Sequence, residues 1–446
     1  MRKGIDLYKN YGKYTNINKM LPSIVDGLLP VHRRMIYVLH TIASKSKVKT
    51  VTALGELNGK YHPHATSKGP AVWAVSNDFA VGYGQWGSKI GIDAIDAASE
   101  RYTSIKASPE IEEIALKYVN FAEWYENDVG FEEPRHLPTL FPFCLMGKEE
   151  LSQIGFGTKP EFPIYTKIDL CKRLLFLLGK TQKSPSIKPF IPNCEILSSA
   201  SDIKTLITTG EVTLTIKGSY VEDAKNNIIY IKGWHPREKF ESIFNNIVKY
   251  VSKDKENGNL FESNGVVIID ESTVDSGTKI RFEVSRQRNV KDAYNLLKNS
   301  IDKALTQNIR YAMYVVDDGK FKIASVDEML IRCYKHFKET YEKFCIHTIN
   351  KTKNQIIEYS NISKIKPHIS NINTKKSVDD SIKELSKLSG VSDSDIKVII
   401  EKYNIKKLLS FNTDKSDLEI KLKEFEDKLN NLEVSVLKEY QLAVTK

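Results

Sequence analysis

The stretch Ser99-Glu100-Arg101-Tyr102-Thr103 sets a guanidinium directly beside a phenol. A phenol ionises near pH 10, so at neutral pH only about one tyrosine in a thousand is the nucleophilic anion. A neighbouring guanidinium favours that anion and can grip phosphate oxygens with two parallel N–H groups. Arg101 and Tyr102 are thus a pair suited to attack on a phosphodiester through a phosphotyrosyl intermediate. The chain holds 21 tyrosines, so the dipeptide alone describes equally well a strand tyrosine beside a surface arginine.

Lys60-Tyr61-His62-Pro63-His64 offers two imidazoles on a stiff turn. Such a pair can bind metal, move protons or donate to phosphate. Two ligands with no third nearby make a poor metal site, so phosphate contact is the better functional reading and a structural turn the plain one. Gly84-Gln85-Trp86-Gly87-Ser88 has the wrong spacing and flanks for a dinucleotide fingerprint. Its glycines let the backbone come close to a neighbouring loop or a phosphate.

The elements that must carry these groups show in the periodicity. His32 to Ala43 has apolar residues at helical spacing, with Arg33 and Arg34 in its first turns, and a second helical stretch begins at Gly69. Glycines at 82, 84, 87 and 91 predict a tight loop or hairpin between Val81 and Ile92. From Lys159 to Lys322, strand-length segments (EVTLTIKG, NNIIYIKGW, GVVIIDE, TKIRFEV) alternate with helical ones, an α+β texture. From Ser325 onward the strands stop. A long apolar-striped helix is expected, interrupted by a polar middle at Lys366, Pro367 and His368, then a returning helix with heptad-like spacing from Asp417 to Tyr440.

With 446 residues the chain exceeds one core, so two to four domains are expected. Its formal charge of +10 suits a polyanionic partner without proving one. The five cysteines are scattered without CxxC spacing, which argues against zinc and for free thiols. No run is long and apolar enough for a membrane span, and the N-terminal residues lack a signal-peptide core, so the cytoplasm is expected, that of a host if the source is a phage.

The order of the motifs decides what they are. Asp26-Gly27-Leu28-Leu29-Pro30-Val31-His32-Arg33-Arg34, then Gly59 to His64, then Gly84 to Ser88, then Ala97 to Thr103, closely resembles the breakage-reunion region of type IIA DNA topoisomerases, as found in gyrase A and topoisomerase IV subunits. The layout is most similar to the medium subunit of T-even phage topoisomerase. Further on, Ser152 to Gly157 sits where that family has the isoleucine that wedges between bases, which gives Ile154 a role beyond packing.

The resemblance implies an α+β multidomain chain: a winged-helix domain over 1–120, an α/β tower over 121–322, and an antiparallel coiled coil with a helical C-gate over 323–446. It implies that Tyr102 attacks the scissile phosphate and holds the 5′ end, with Arg101, Arg34 and His64 stabilising the charge that develops. His32, Arg33, Lys60, His62, Ser67, Gln85, Ser88 and Ile154 are the implied DNA contacts, Ser67 on the helix after the histidine motif. A homodimer through the C-gate supplies two tyrosines. The sequence shows neither a nucleotide loop nor an acidic Mg2+ cluster, so Mg2+ and ATP are expected on a separate, gyrase B-like ATPase/TOPRIM subunit. No DNA-wrapping domain follows the coiled coil, so relaxation or decatenation is expected rather than negative supercoiling. The sequence departs from the family at Lys19, Leu29, Ala65 and the Lys68-Gly69-Pro70 insertion, which bears on drug response and fine DNA contacts. A DNA-binding relative without activity would have lost Arg101-Tyr102. A tyrosine recombinase would carry its nucleophile near the C-terminus.

Overall fold

The computed structural model describes residues 2–63, 67–93, 95–263, 265–285, 289–369 and 378–445, the backbone only at 2–5 and 405. His64 and Ala65 lie outside the described residues. The chain forms two compact units, Met1–Phe337 with Gln441–Lys446, and Lys338–Tyr440.

In the first unit, helix α1 (Arg2–Thr15) leads to α2 (Pro30–Ala43). Pro30 starts α2 at the position where a missing N–H costs nothing. Strand β1 (Val48–Lys49), helix α3 (Thr50–Glu56), helix α4 (Gly69–Ser76), and strands β2 (Ala80–Tyr83) and β3 (Ser104–Ala107) follow. The strands form an antiparallel sheet in the order β1-β3-β2, with Val48 opposite Ile105 and Tyr83 opposite Ser104. Met35, Ile36, Val38 and Leu39 of α2 are buried, so the helix is the spine of this region. The chain between β2 and β3 is the glycine-rich excursion that ends in Tyr102. A short hairpin follows, β4 (Trp124–Glu126) with β5 (Glu132–Pro134).

The expected strands downstream are present. Val266–Asp270, Ile280–Val284, Ile228–Ile231 and Tyr220–Asp223 make one antiparallel sheet; Thr306–Ala312, Glu211–Gly218 and Cys194–Ile196 make another. Helices Phe240–Val251 and Val290–Leu305 share one core with the first of these. The glycine-rich excursion reaches it: Ile92 packs against that core and donates its backbone N–H to Asp270 at 2.9 Å.

The long helix Val326–Ile369 carries the chain into the second unit. It does not stop before Pro367 as the sequence predicts. Ile362, Ile365 and Ile369 are all buried with Ile382, Leu385, Ile396 and Ile399. Burying three isoleucines contributes about 1.5–3 kcal/mol each, more than the roughly 3 kcal/mol a helical proline costs. The returning segment is two helices rather than one, Ser416–Asn430 and Leu432–Thr445, broken at Asn431 where ψ turns to 44°. Phe425 and Glu426 of the first contact Phe344 and Lys353 of the long helix, the ion pair at 2.9 Å. Among the described residues, no helix is long and apolar enough to cross a membrane.

Candidate nucleic-acid interface

Helical stepping sends the three consecutive residues His32, Arg33 and Arg34 in different directions. His32 is buried and stacks on Trp73 of α4, with centroids 3.7 Å apart and planes 5° from parallel. Its burial, helped by His62, pushes its pKa down to about 3, so the ring is neutral. Arg33 turns back on Asp26, with Nε donating at 2.6 Å and Nη2 at 2.9 Å. Asp26 also accepts from the backbone of Leu28 and Leu137, so this pair ties down the turn before α2. Arg33 is therefore engaged inside the fold.

Arg34 faces the β4–β5 hairpin. Its Nε and Nη2 donate to Glu133 at 2.9 and 2.7 Å, and its Nη1 stands 3.0 Å from His62 Nδ1. The Tyr125 hydroxyl donates to the same carboxylate. His62 is buried just beyond the wide turn Leu57–Tyr61, and Asn127 of the hairpin donates to Lys60 O at 3.0 Å. Lys60 itself pairs with Glu56 at 2.7 Å. Ser67 is exposed and precedes α4, whose first residue is Gly69, so it is not helical as the sequence suggests. Pro70 in the first turn and the fold-back of Lys68 set the start of the helix there: the Lys68 ammonium donates to Ala97 O.

Tyr102 lies on a turn closed by its own N–H donating to Ser99 O at 2.9 Å. The start of α3 holds that turn. Its first two backbone N–H groups have no partner within the helix. Thr50 N donates to Thr103 O at 3.1 Å and Val51 N to Glu100 O at 3.2 Å, while the Thr103 hydroxyl donates to Thr50 Oγ1 at 2.8 Å. Thr103 is buried but Tyr102 is 64% exposed, with the Arg101 guanidinium 4.8 Å from its ring centroid. A firm backbone thus presents a solvent-facing phenol with a cation beside it. Gln85 is exposed and its carbonyl accepts from Ala98 N at 2.9 Å; Ser88 exchanges two backbone bonds with Ile95, both 2.8 Å. Both lie on the excursion that carries Tyr102.

Ile154 stands just before the Phe156-Gly157 tip of a narrow loop bridged at Ser152–Glu161 and Gly155–Thr158, and is 78% exposed. Burial would favour the opposite for an isoleucine. The tip is gripped from one side by Asn16, which accepts from Phe156 N at 2.8 Å and donates to Phe156 O at 2.9 Å. Tyr8 and Tyr11 of α1 stand edge-on to the Phe156 ring. From the other side Arg237 bridges the two stems, reaching Glu150 at 2.9 Å and Glu161 at 3.2 Å.

Two groups therefore emerge. One gathers His32, Arg34 and His62; the other gathers Gln85, Ser88, Arg101 and Tyr102 on one loop. The residues that position the first, Trp73, Tyr125 and Glu133, are absent from the sequence motifs. The only local signal for the hairpin is its Asn127-to-Gly130 turn between aromatic and acidic strands. Among the described residues, no three His, Cys, Asp or Glu side chains converge as a metal site.

Sequence similarity to gyrase and topoisomerase IV proteins runs through these residues and well beyond them. The chain is 25% identical to the DNA gyrase A subunit of Borrelia hermsii, over 97% of its own length and 55% of the relative's. It is 26% identical to the DNA topoisomerase 4 A subunit of Bacillus subtilis, over 78% and 44%. It is 26% identical to the DNA gyrase A subunit of Neisseria gonorrhoeae, over 80% and 39%. The chain spans about half or less of the length of these curated relatives. The family model for the DNA gyrase/topoisomerase IV A subunit matches residues 19–445. The chain belongs to that family.

Proposed function

We propose that this chain is the DNA-cleaving and rejoining subunit of a type IIA DNA topoisomerase, with Tyr102 as nucleophile. The observation that carries the reading is the exposed Tyr102 hydroxyl on a turn locked to α3, with Arg101 beside it. The Tyr102 oxygen bonds to the scissile phosphorus as the P–O3′ bond breaks; the phenolic proton leaves to solvent and the 3′ oxygen takes one up. The 5′ end stays on the tyrosine until the 3′ hydroxyl reverses the step. Arg101, Arg34 and His64 stabilise the phosphate charge, and His62, Lys60, Ser67, Gln85 and Ser88 line the DNA path. His32, buried against Trp73, ties α2 to α4 and is not a direct contact as the sequence suggests. Arg33 serves that path by holding α2. Ile154 is the wedge that bends the duplex.

In this reading the β1-β3-β2 sheet with α2 to α4 is a winged helix, domain 1–120; residues 121–322 are the tower; residues 323–446 are the coiled-coil arm and dimer gate. A two-fold dimer presents one tyrosine to each strand. Mg2+ and ATP belong to a gyrase B-like partner subunit, where the metal would supply charge at the scissile phosphate. The assembled enzyme works in a cytoplasm and relaxes or decatenates DNA.

The test combines the chain with its partner subunit, Mg2+ and supercoiled plasmid, followed by detergent and protease trapping. Covalent adduct is expected from wild type and not from Tyr102→Phe. Adduct from the variant would mean the nucleophile is another residue. ATP-driven negative supercoiling of relaxed circles would sink the relaxation reading.

A further inference from the structure

We infer that Glu133 is a positioning residue for strand cleavage: it orients Arg34 so that His62 keeps its proton on Nε2. The inference rests on the phosphate-contact reading of His62 given above.

Glu133 is 3% exposed and saturated by donors. Arg34 Nε and Nη2 and the Tyr125 hydroxyl all point at its carboxylate. That two-pronged grip fixes the guanidinium plane and aims its remaining edge, Nη1, at His62 Nδ1, 3.0 Å away. A guanidinium nitrogen has only hydrogens to offer. Nδ1 must therefore accept, because a protonated Nδ1 would set two donors face to face. A neutral ring that accepts at Nδ1 carries its proton on Nε2. The imidazole is then a committed donor at Nε2, which is what contact with an anionic oxygen needs, rather than a mixture of two tautomers.

The hairpin is built for this duty. Tyr125 and Glu133 are cross-strand partners, so their side chains share one face. Asn127 accepts from Val129 N at 3.0 Å and Phe131 N at 3.1 Å, closing the hairpin turn. Its amide donates to Lys60 O, two residues before His62. One hairpin thus holds the imidazole twice, through the backbone that leads to it and through Arg34.

The experiment labels the histidine ring nitrogens of the full chain with 15N and reads their NMR shifts, without DNA. In wild type, His62 is expected to show an unprotonated Nδ1 and a protonated Nε2. A protonated Nδ1 overturns the inference, and this measurement needs no variant to fold. In Glu133→Gln, His62 should move toward a mixture of tautomers. With Mg2+ and the partner subunit present, adduct formation on a duplex should slow by about tenfold to a hundredfold, the loss typical of removing an orienting partner. Unaltered ring shifts or an unaltered cleavage rate in that variant would reject the role. If Tyr102→Phe abolishes adduct while Glu133→Gln cleaves normally, only this inference fails; if adduct survives Tyr102→Phe, the functional reading beneath it fails as well.

Discussion

Asp26 and Arg33 form a buried, two-pronged ion pair, with Arg33 Nε 2.6 Å from one carboxylate oxygen and Nη2 2.9 Å from the other. Burial alone would raise the Asp26 pKa, but the charge and hydrogen bonds of Arg33 prevail and hold it below the ordinary carboxylate value. Breaking such a pair leaves an uncompensated buried charge, which costs about 3–5 kcal/mol. Arg33→Met is expected to lose that much in urea unfolding at neutral pH. The sign in acid follows: a depressed folded pKa gives stability that is complete above the unfolded value, near 3.9, and is lost as pH falls through the folded one. Asp26→Asn should therefore flatten the unfolding curve below about pH 4.

His32 and His235 make the opposite end of the acid range informative. Burial, aided by His62 and Arg237 respectively, lowers their pKa values to about 3 and about 4. An unfolded histidine titrates near 6.5, so between pH 6.5 and 4 the unfolded chain binds more protons than the folded one. Stability must fall with pH in that window, by about 1.4 kcal/mol per pH unit for each buried ring. His32→Phe keeps a ring for Trp73 to stack on and removes one titration. The loss between pH 7 and 5 should shrink by about 2 kcal/mol in urea midpoints taken at both pH values. An unchanged slope would show that His32 is already charged or exposed.

Gly87 has a φ of +82°, and a Cβ built there falls 2.1 Å from Ile95 O. Neither the backbone conformation nor the space admits a side chain, and the contacting atom is backbone that cannot swing away. Gly87→Ala should open the loop that carries Gln85 to Tyr102. Adduct formation is expected to drop at least about tenfold while stability falls by only about 1–3 kcal/mol. Equal cleavage by the variant would separate the loop from the chemistry.

Ile154 presents the reverse case. It is exposed beside the tip of its loop and contributes little burial. Ile154→Ala should leave thermal stability within about 0.5 kcal/mol. Fluorescence energy transfer between the ends of a bound duplex should report less bending. A variant that bends DNA normally would make the exposed isoleucine incidental.

Much of the fold is legible because burial writes itself into periodicity. The apolar spacing of α2 and the strands around Leu214, Ile229 and Phe282 follow from one buried face per element. Pro367 and the heptad-like tail misled for a related reason: local signals do not record what packs against them. The isoleucines around Pro367 found a core in distant helices, and Asn431 broke a pattern that looked continuous.

The sequence by itself singled out the candidate residues for the proposed chemistry, since Arg101-Tyr102 and the histidine motif stand in an order that ordinary folding does not require. Only the tertiary structure decided how those residues are used. Arg33 and Arg34 are neighbours of the same type, yet about 100° of helical turn sends one to Asp26 and the other to Glu133, 99 residues away. No local pattern encodes a partner that far along the chain, because its position depends on how β4 and β5 dock. The same docking selects the nitrogen of His62 that faces Arg34.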